Sequence, residues 1–166
     1  KPGFMSSVCP DQTLAELIAT AKQYGYEGIE FRVAWDHAHG IERDATPSQL
    51  QAARAALAES GIVASCLATS VRFNAPDPVD HGPQREDLRR YIEVAAEIGA
   101  PYIRTFSDAL PEDDPAARDD VIHLAAESYA ALDAWAGSHG VVVLVETHTN
   151  MKGQWAKQIL DEAGAE

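Results

Sequence analysis

Glu146 and His148 stand two residues apart in LVETHTN, directly after the apolar run VVV. Two earlier stretches of strand-like character are broken in the same way: GIEFR carries Glu30 and Arg32, and YIRTFS carries Arg104. Side chains alternate along a strand, so Glu30 and Arg32 share one face while Ile29, Phe31 and Val33 share the other; Glu146 and His148 share a face with Leu144. A charge buried without a partner is costly, so charged groups in otherwise apolar strands point to a pocket or to an interior ion pair. For Arg104 the alternatives are contact with a substrate oxyanion and an ion pair with Glu30, and the cost of an unpaired interior charge favours the pair. Arg32 is placed in the same network. Glu146 has a structural reading as the partner of Arg104 across the sheet. His148 is read either as a hydrogen-bond partner for substrate oxygens or as a satisfied pocket histidine.

Other residues invite weaker readings. WDHAHG places His37 and His39 at a spacing that could ligate zinc only if further ligands converged, and none is apparent. Trp35 in the same stretch is better read as a lid over a pocket. The segment SVRFNAPDPVDHGPQ reads as a long, proline-rich loop, by default a solvated connector, on which Arg72, Phe73 and Asn74 are the candidates for touching substrate. The acidic run PEDDP reads as a solvated cap before a helix, favourable to the helix dipole.

The elements that must position these groups follow from a recurring phrase: a helical pattern, a glycine, then a short β-rich run. It appears as AELIATAKQYG with YEGIEFRVA, QAARAALAESG with IVASCLATS, LRRYIEVAAEIG with APYIRTF, and YAALDAWAGSHG with VVVLVETHT. The marker glycines Gly25, Gly61, Gly99 and Gly140 stand where a helix ends in a left-handed residue. Leu14, Leu17, Ile18 and Ala21 follow the spacing of a helix laid against a sheet. Thr46-Pro47 and Asp114-Pro115 have the cap-then-proline order of a helix start. A first strand at about residues 3–8 precedes these units, and KQILDEAG reads as a fifth helix.

Alternating strands and helices predict an α/β protein with a parallel sheet. A doubly wound sheet has both faces covered, so its strands should be apolar throughout; these are not. No G-x-G-x-x-G or P-loop pattern follows the first strand. The expectation is therefore an incomplete (β/α)8 TIM barrel, its first five βα units forming a single domain over residues 1–166 and lacking strands 6–8. The alternative is a five-stranded flavodoxin-like open sheet, and the alternative function is that of a non-catalytic module, either an open-sheet binding domain or a half-barrel that associates with a second chain. A complete barrel needs about 250 residues, and its inward residues near the C-terminal mouth line the reactive pocket. An incomplete barrel leaves strands one and five as free edges, so edge-strand association or a homo-oligomer is expected.

Composition narrows the partners. Of 166 residues, 26 are acidic and 13 basic, and the net charge of −13 leaves no basic stripe to bind nucleic acid. The 46% hydrophobic content is that of a globular protein. No apolar stretch is long enough to span a membrane and no signal-peptide core is visible, which leads to the expectation of a cytoplasmic protein. Cys9 and Cys66 have no paired spacing and read as free thiols.

Taken in order, GYEGIEFR, PYIRTFSD and VVLVETHTN resemble the sugar-phosphate isomerase and epimerase group of the xylose isomerase-like TIM-barrel superfamily. The resemblance covers essentially the whole chain but only the first part of the family's barrel. It implies that Glu146, on the fifth strand, binds a divalent metal ion (Mn, Mg, Zn or Co), with the remaining ligands coming from strands six to eight. It implies a small carbohydrate or related hydroxy-carbonyl substrate. The chemistry is proton removal beside a carbonyl to give an enediolate, whose charge a metal held by hard oxygens stabilises. On this reading Glu146 and His148 are the catalytic residues, Arg104, Trp35 and Phe73 are substrate-binding candidates, and residues 1–166 alone are inactive. The superfamily's nucleases use histidines at the ends of strands three and four, where this sequence has Thr69, Ser70, Thr105 and Ser107, so a nuclease is not expected.

Overall fold

A computed structural model describes residues 2–164. Five strands, β1 (Gly3–Met5), β2 (Gly28–Arg32), β3 (Val63–Arg72), β4 (Tyr102–Ser107) and β5 (Val142–Thr147), alternate with five α-helices. These are α1 (Leu14–Tyr24), α2 (Pro47–Ser60), α3 (Pro78–Ile98), α4 (Pro115–Ser138) and α5 (Gly153–Ala163). All neighbouring strands pair parallel, in the order β1-β2-β3-β4-β5. This order overturns the flavodoxin-like alternative, in which the strand order reverses at a switch point. It is the order of successive staves in a TIM barrel, with β1 and β5 as the edges.

The local signals act as the sequence suggests. Thr13 and Thr46 build reciprocal capping boxes with Glu16 and Gln49, and Asp114 caps α4 through the Ala117 amide. Gly25, Gly61 and Gly99 close their helices at φ of 74°, 76° and 80°, a region that only glycine enters freely. Between units the pattern is less regular. β1 stops at Met5 rather than continuing through Val8, because Ser6–Val8 turn into a short 3-10 helix. The expected long loop at Ser70–Gln84 is mostly regular structure: β3 runs to Arg72 and α3 starts at Pro78, capped by Asp77. Pro78 occupies the first helical turn, where no amide is needed, whereas Pro83 forgoes one helical hydrogen bond.

Each strand has one face against the helices. On β4, Ile103, Thr105 and Ser107 are buried, and the Thr105 hydroxyl meets Tyr129 of α4 at 2.8 Å. The opposite faces of the five strands form the inner wall, which lies open at β5, where Val142 and Leu144 are 54% and 41% exposed. Register shifts at Ile29/Glu30 against β3, and between Ala68 and Arg72 against β4, place extra residues on β3 and re-aim its final turn of side chains.

Candidate functional site

The polar residues that break the strand pattern meet on this inner wall near the C-terminal ends of β2 to β5. Glu30 lies opposite Cys66, Ala68 opposite Arg104, and Phe106 opposite Glu146. Arg104, 6% exposed, donates from Nη1 to the Thr69 carbonyl at 2.8 Å, and its guanidinium lies 4.0 Å from the Phe106 ring centre. Its Nε is 2.8 Å from Glu146 Oε2, but the N–H is not aligned on that oxygen, so the pair is held by charge attraction rather than by a directed hydrogen bond. The ion pair expected between Arg104 and Glu30 is thus made with Glu146. Glu30 feels the same guanidinium at longer range. Burial raises the Glu30 carboxyl above its ordinary range, Arg104 opposes that rise, and Glu146 adds to it. The neighbouring Cys66 thiol is pushed up to about 12, first by burial and then by Glu30, so it is an inert thiol. Cys9 and Cys66 are both free.

His148 follows β5 and its ring lies 4.3 Å from that of Phe106. Its Nδ1 is 2.7 Å from Asp108 Oδ1 and 3.0 Å from the Thr149 hydroxyl. An ionised carboxylate only accepts, so Nδ1 carries the proton and Nε2 of a neutral ring keeps its lone pair for another partner. Asp108 is itself held by Arg72, whose Nη1 sits 2.5 Å from Oδ2. Asp108 and Phe106 are the members of this group that residue-by-residue reading of the sequence passed over. Phe106 shares strand parity with Arg104, and Asp108 stands at the C-terminal end of β4, where a barrel opens to its pocket; those were the available signals.

Arg32, on β2, donates to the Ala68 carbonyl at 3.0 Å, to the Val33 carbonyl, and to the Ser70 hydroxyl at 2.6 Å. Trp35, 65% exposed, lies above it with 5.4 Å from guanidinium carbon to ring centre, and donates Nε1–H to Ser70 at 3.2 Å. The loop that carries Trp35 is held by Glu42, whose Oε2 accepts from the Ala34 amide at 2.8 Å while Ala34 takes φ of 68°. His39 serves the same loop: Nε2 contacts the Arg32 carbonyl and Nδ1 accepts from the Ile41 amide, each at 3.0 Å. Phe73 does not join the inner wall. It is 3% exposed, stacked on His81 and edge-on to Tyr129, in the packing between sheet and helices.

Among the described residues no three His, Cys, Asp or Glu side chains come together to hold a metal ion. The Glu146 side chain is 43% exposed, and its Oε1 has no partner among the described residues, so it has the open oxygen that a metal ligand needs. No helix among the described residues is long and apolar enough to cross a membrane.

Residues 18–164 match the family model described as xylose isomerase-like TIM barrel. No curated protein matches by sequence. Among solved structures, the IOLI protein with a zinc atom superposes with a TM-score of 0.76 at 16% identity, covering 98% of this chain and 58% of that one. A 3-keto-D-glucoside 4-epimerase from E. coli gives 0.76 at 15% identity, covering 99% of this chain and 64% of the other. D-psicose 3-epimerase, solved in the presence of D-fructose, gives 0.75 at 14% identity, with 98% and 60% covered. The chain therefore spans less than two thirds of the length of each.

Proposed function

Because the chain belongs to the xylose isomerase-like TIM barrel family, we propose that it forms the β1–β5 wall of the active site of a sugar isomerase or epimerase. The substrate is a small sugar, a sugar phosphate or a related hydroxy-carbonyl compound, and the reaction passes through an enediolate. Glu146 is a ligand of a divalent metal ion, and His148 hydrogen-bonds a substrate oxygen through Nε2. The metal supplies Lewis-acid stabilisation of the charge that develops when a proton leaves the carbon beside a carbonyl. Arg104 fixes one oxygen of Glu146 and leaves the other without a partner among the described residues; Asp108 fixes the ring of His148. The observation that carries this reading is the position of Glu146, a half-exposed carboxylate at the C-terminal end of β5, the end at which a barrel opens to its pocket. The named activities of the epimerases that share the fold point the same way.

The test is exchange of solvent deuterium into the carbon beside the carbonyl, across a panel of ketoses, aldoses and their phosphates with Mn2+ present. It is run on the complete barrel that contains these residues and on residues 1–166 alone. The complete barrel should exchange, its Glu146→Gln variant should lose at least about a hundredfold, and residues 1–166 should be inactive. Undiminished exchange by Glu146→Gln would remove the metal-ligand role, and equal turnover by residues 1–166 would remove the requirement for further strands. The exposed inner face of β5, at Val142 and Leu144, is where those strands, or a second chain in an edge-paired assembly, cover the sheet.

A further inference from the structure

In a chain of net charge −13, three guanidinium groups from three adjacent strands converge on one ring. The carbons of Arg32, Arg72 and Arg104 lie 5.6, 5.7 and 4.0 Å from the centre of Phe106. Two of the three are matched by carboxylates, Arg72 by Asp108 and Arg104 by Glu146. Arg32 is not: its hydrogen bonds go to two carbonyl oxygens and a hydroxyl, and among the described residues no carboxylate stands within ion-pair distance. It is also 8% exposed, so water screens its charge poorly.

Ser70 sits at the centre of this arrangement. Its hydroxyl oxygen accepts from Arg32 Nη2 and from the Trp35 indole, so its own hydrogen is left to point at a further acceptor, which it does not meet among the described residues. Arg72, whose side chain is 47% exposed, reaches the same rim and commits Nη1 to Asp108 and Nε to the Ser70 carbonyl, which leaves Nη2 available. A hydroxyl donor and two guanidinium groups gathered on the one residue Ser70 form the donor set that recognises a planar or tetrahedral oxyanion.

We propose that Arg32, Ser70 and Arg72 bind an anionic group of the substrate, a carboxylate or a phosphate ester, at the rim of the barrel mouth beneath Trp35. This rests on the isomerase or epimerase reading for the word substrate; the anion site itself does not depend on metal or turnover. It narrows the substrate from sugars in general to sugar acids or sugar phosphates. Arg32 supplies a buried charge that no ion pair neutralises, Glu42 acting on it only at longer range, while Ser70 and Arg72 supply directed donors and Trp35 covers the group and removes water from it.

The experiment is a titration of the metal-free protein, observed through the Trp35 indole N–H resonance and assigned with Trp35→Phe. The probes are inorganic phosphate, gluconate, and sorbitol as the uncharged counterpart of gluconate. At least one anion should shift the resonance saturably, with sorbitol without effect. Arg72→Gln, at a half-exposed position, and Arg32→Lys, which keeps the charge but loses the planar fork, should each weaken binding at least about tenfold. Response to phosphate alone identifies a phosphate ester, and response to gluconate alone a carboxylate. Absence of saturable binding by both anions overturns the proposal, as does sorbitol binding equally well or anion binding unchanged in Arg72→Gln. Should Arg32→Lys lose the dispersed spectrum of the folded protein, Arg72→Gln decides alone. Mn2+ binding is followed by water-proton relaxation on the complete barrel that contains these residues, titrated with the same anions: metal bound without anion overturns only this proposal, and anion bound without metal overturns only the metal role of Glu146.

Discussion

Arg104 is opposite Leu144 in the β4–β5 register, yet its guanidinium pairs two residues further along, with Glu146 at 2.8 Å. The diagonal reach pulls the carboxylate toward the sheet and leaves one oxygen free. It also places a fixed positive charge between Glu146 and Glu30. Arg104→Met keeps much of the volume and removes the charge, leaving two acidic groups on the wall without their cation. Because Glu146 is partly solvated, the loss should be below that of a fully buried pair, at about 2 kcal/mol. Urea unfolding at neutral pH measures it; a change below about 0.5 kcal/mol would class the contact with ordinary surface ion pairs.

Glu30 gives the wall a pH dependence of known sign. Burial raises its carboxyl in the folded state. Between the ordinary carboxylate value and that raised value, the folded protein holds a proton that the unfolded chain has released, so stability falls as pH rises through the window. Above the window the penalty is complete; below the ordinary value it is absent. Glu30→Gln should therefore be more stable than the wild type above the window and gain nothing at its acid end. Unfolding midpoints that differ by the same amount at every pH would show that Arg104 fully offsets the burial of Glu30.

The barrel staves were legible because their signals are local. Glycines such as Gly61 end helices wherever the chain needs a left-handed residue, and Thr46-Pro47 starts one for equally local reasons. The shared face of Glu146 and His148 follows from strand alternation alone. What escaped was set by register and by the ends of elements. The partner of Arg104 depends on the stagger of β5 against β4, which no pattern within one strand encodes. The assignment of Phe73 to the pocket depended on reading Ser70–Gln84 as a loop; once β3 continues to Arg72, Phe73 turns to the helix side. Glu42 escaped because its role is to hold a loop backbone, and its own segment has no strand or helix periodicity.

Two aromatic side chains should respond in opposite ways. Phe73 is enclosed by His81 and Tyr129, so Phe73→Ala should cost about 3–5 kcal/mol as a cavity forms, with anion affinity at the mouth unchanged in the population that remains folded. Phe106 is only partly buried and lies against three arginines and His148. Phe106→Leu should cost less stability and reduce anion affinity, because the guanidinium groups lose the surface that spaces them. Chemical unfolding together with the indole titration distinguishes the two, and a Phe73 variant with weakened anion binding would mean that the core and the mouth are not independent.

His39 controls the loop that carries Trp35, and it can do so only in the neutral form. Nδ1 must accept from the Ile41 amide while Nε2–H donates to the Arg32 carbonyl, and a second proton would set two donors against each other at Nδ1. Burial depresses the ring below its ordinary value, the carbonyl of Arg32 opposes that shift, and His37 adds to it. As pH falls from the ordinary imidazole value to the depressed one, the unfolded chain takes up a proton that the folded protein refuses, so this residue's stabilisation is present above the window and lost on descending through it. His39→Gln offers a carbonyl and an amide in place of the two nitrogens without titrating. Its stability should decline less than that of the wild type as pH falls below the ordinary imidazole value, with nitrogen NMR of the wild type showing the Nε2–H tautomer. Parallel stability curves for the two proteins, or an Nδ1–H tautomer, would contradict this account of the loop.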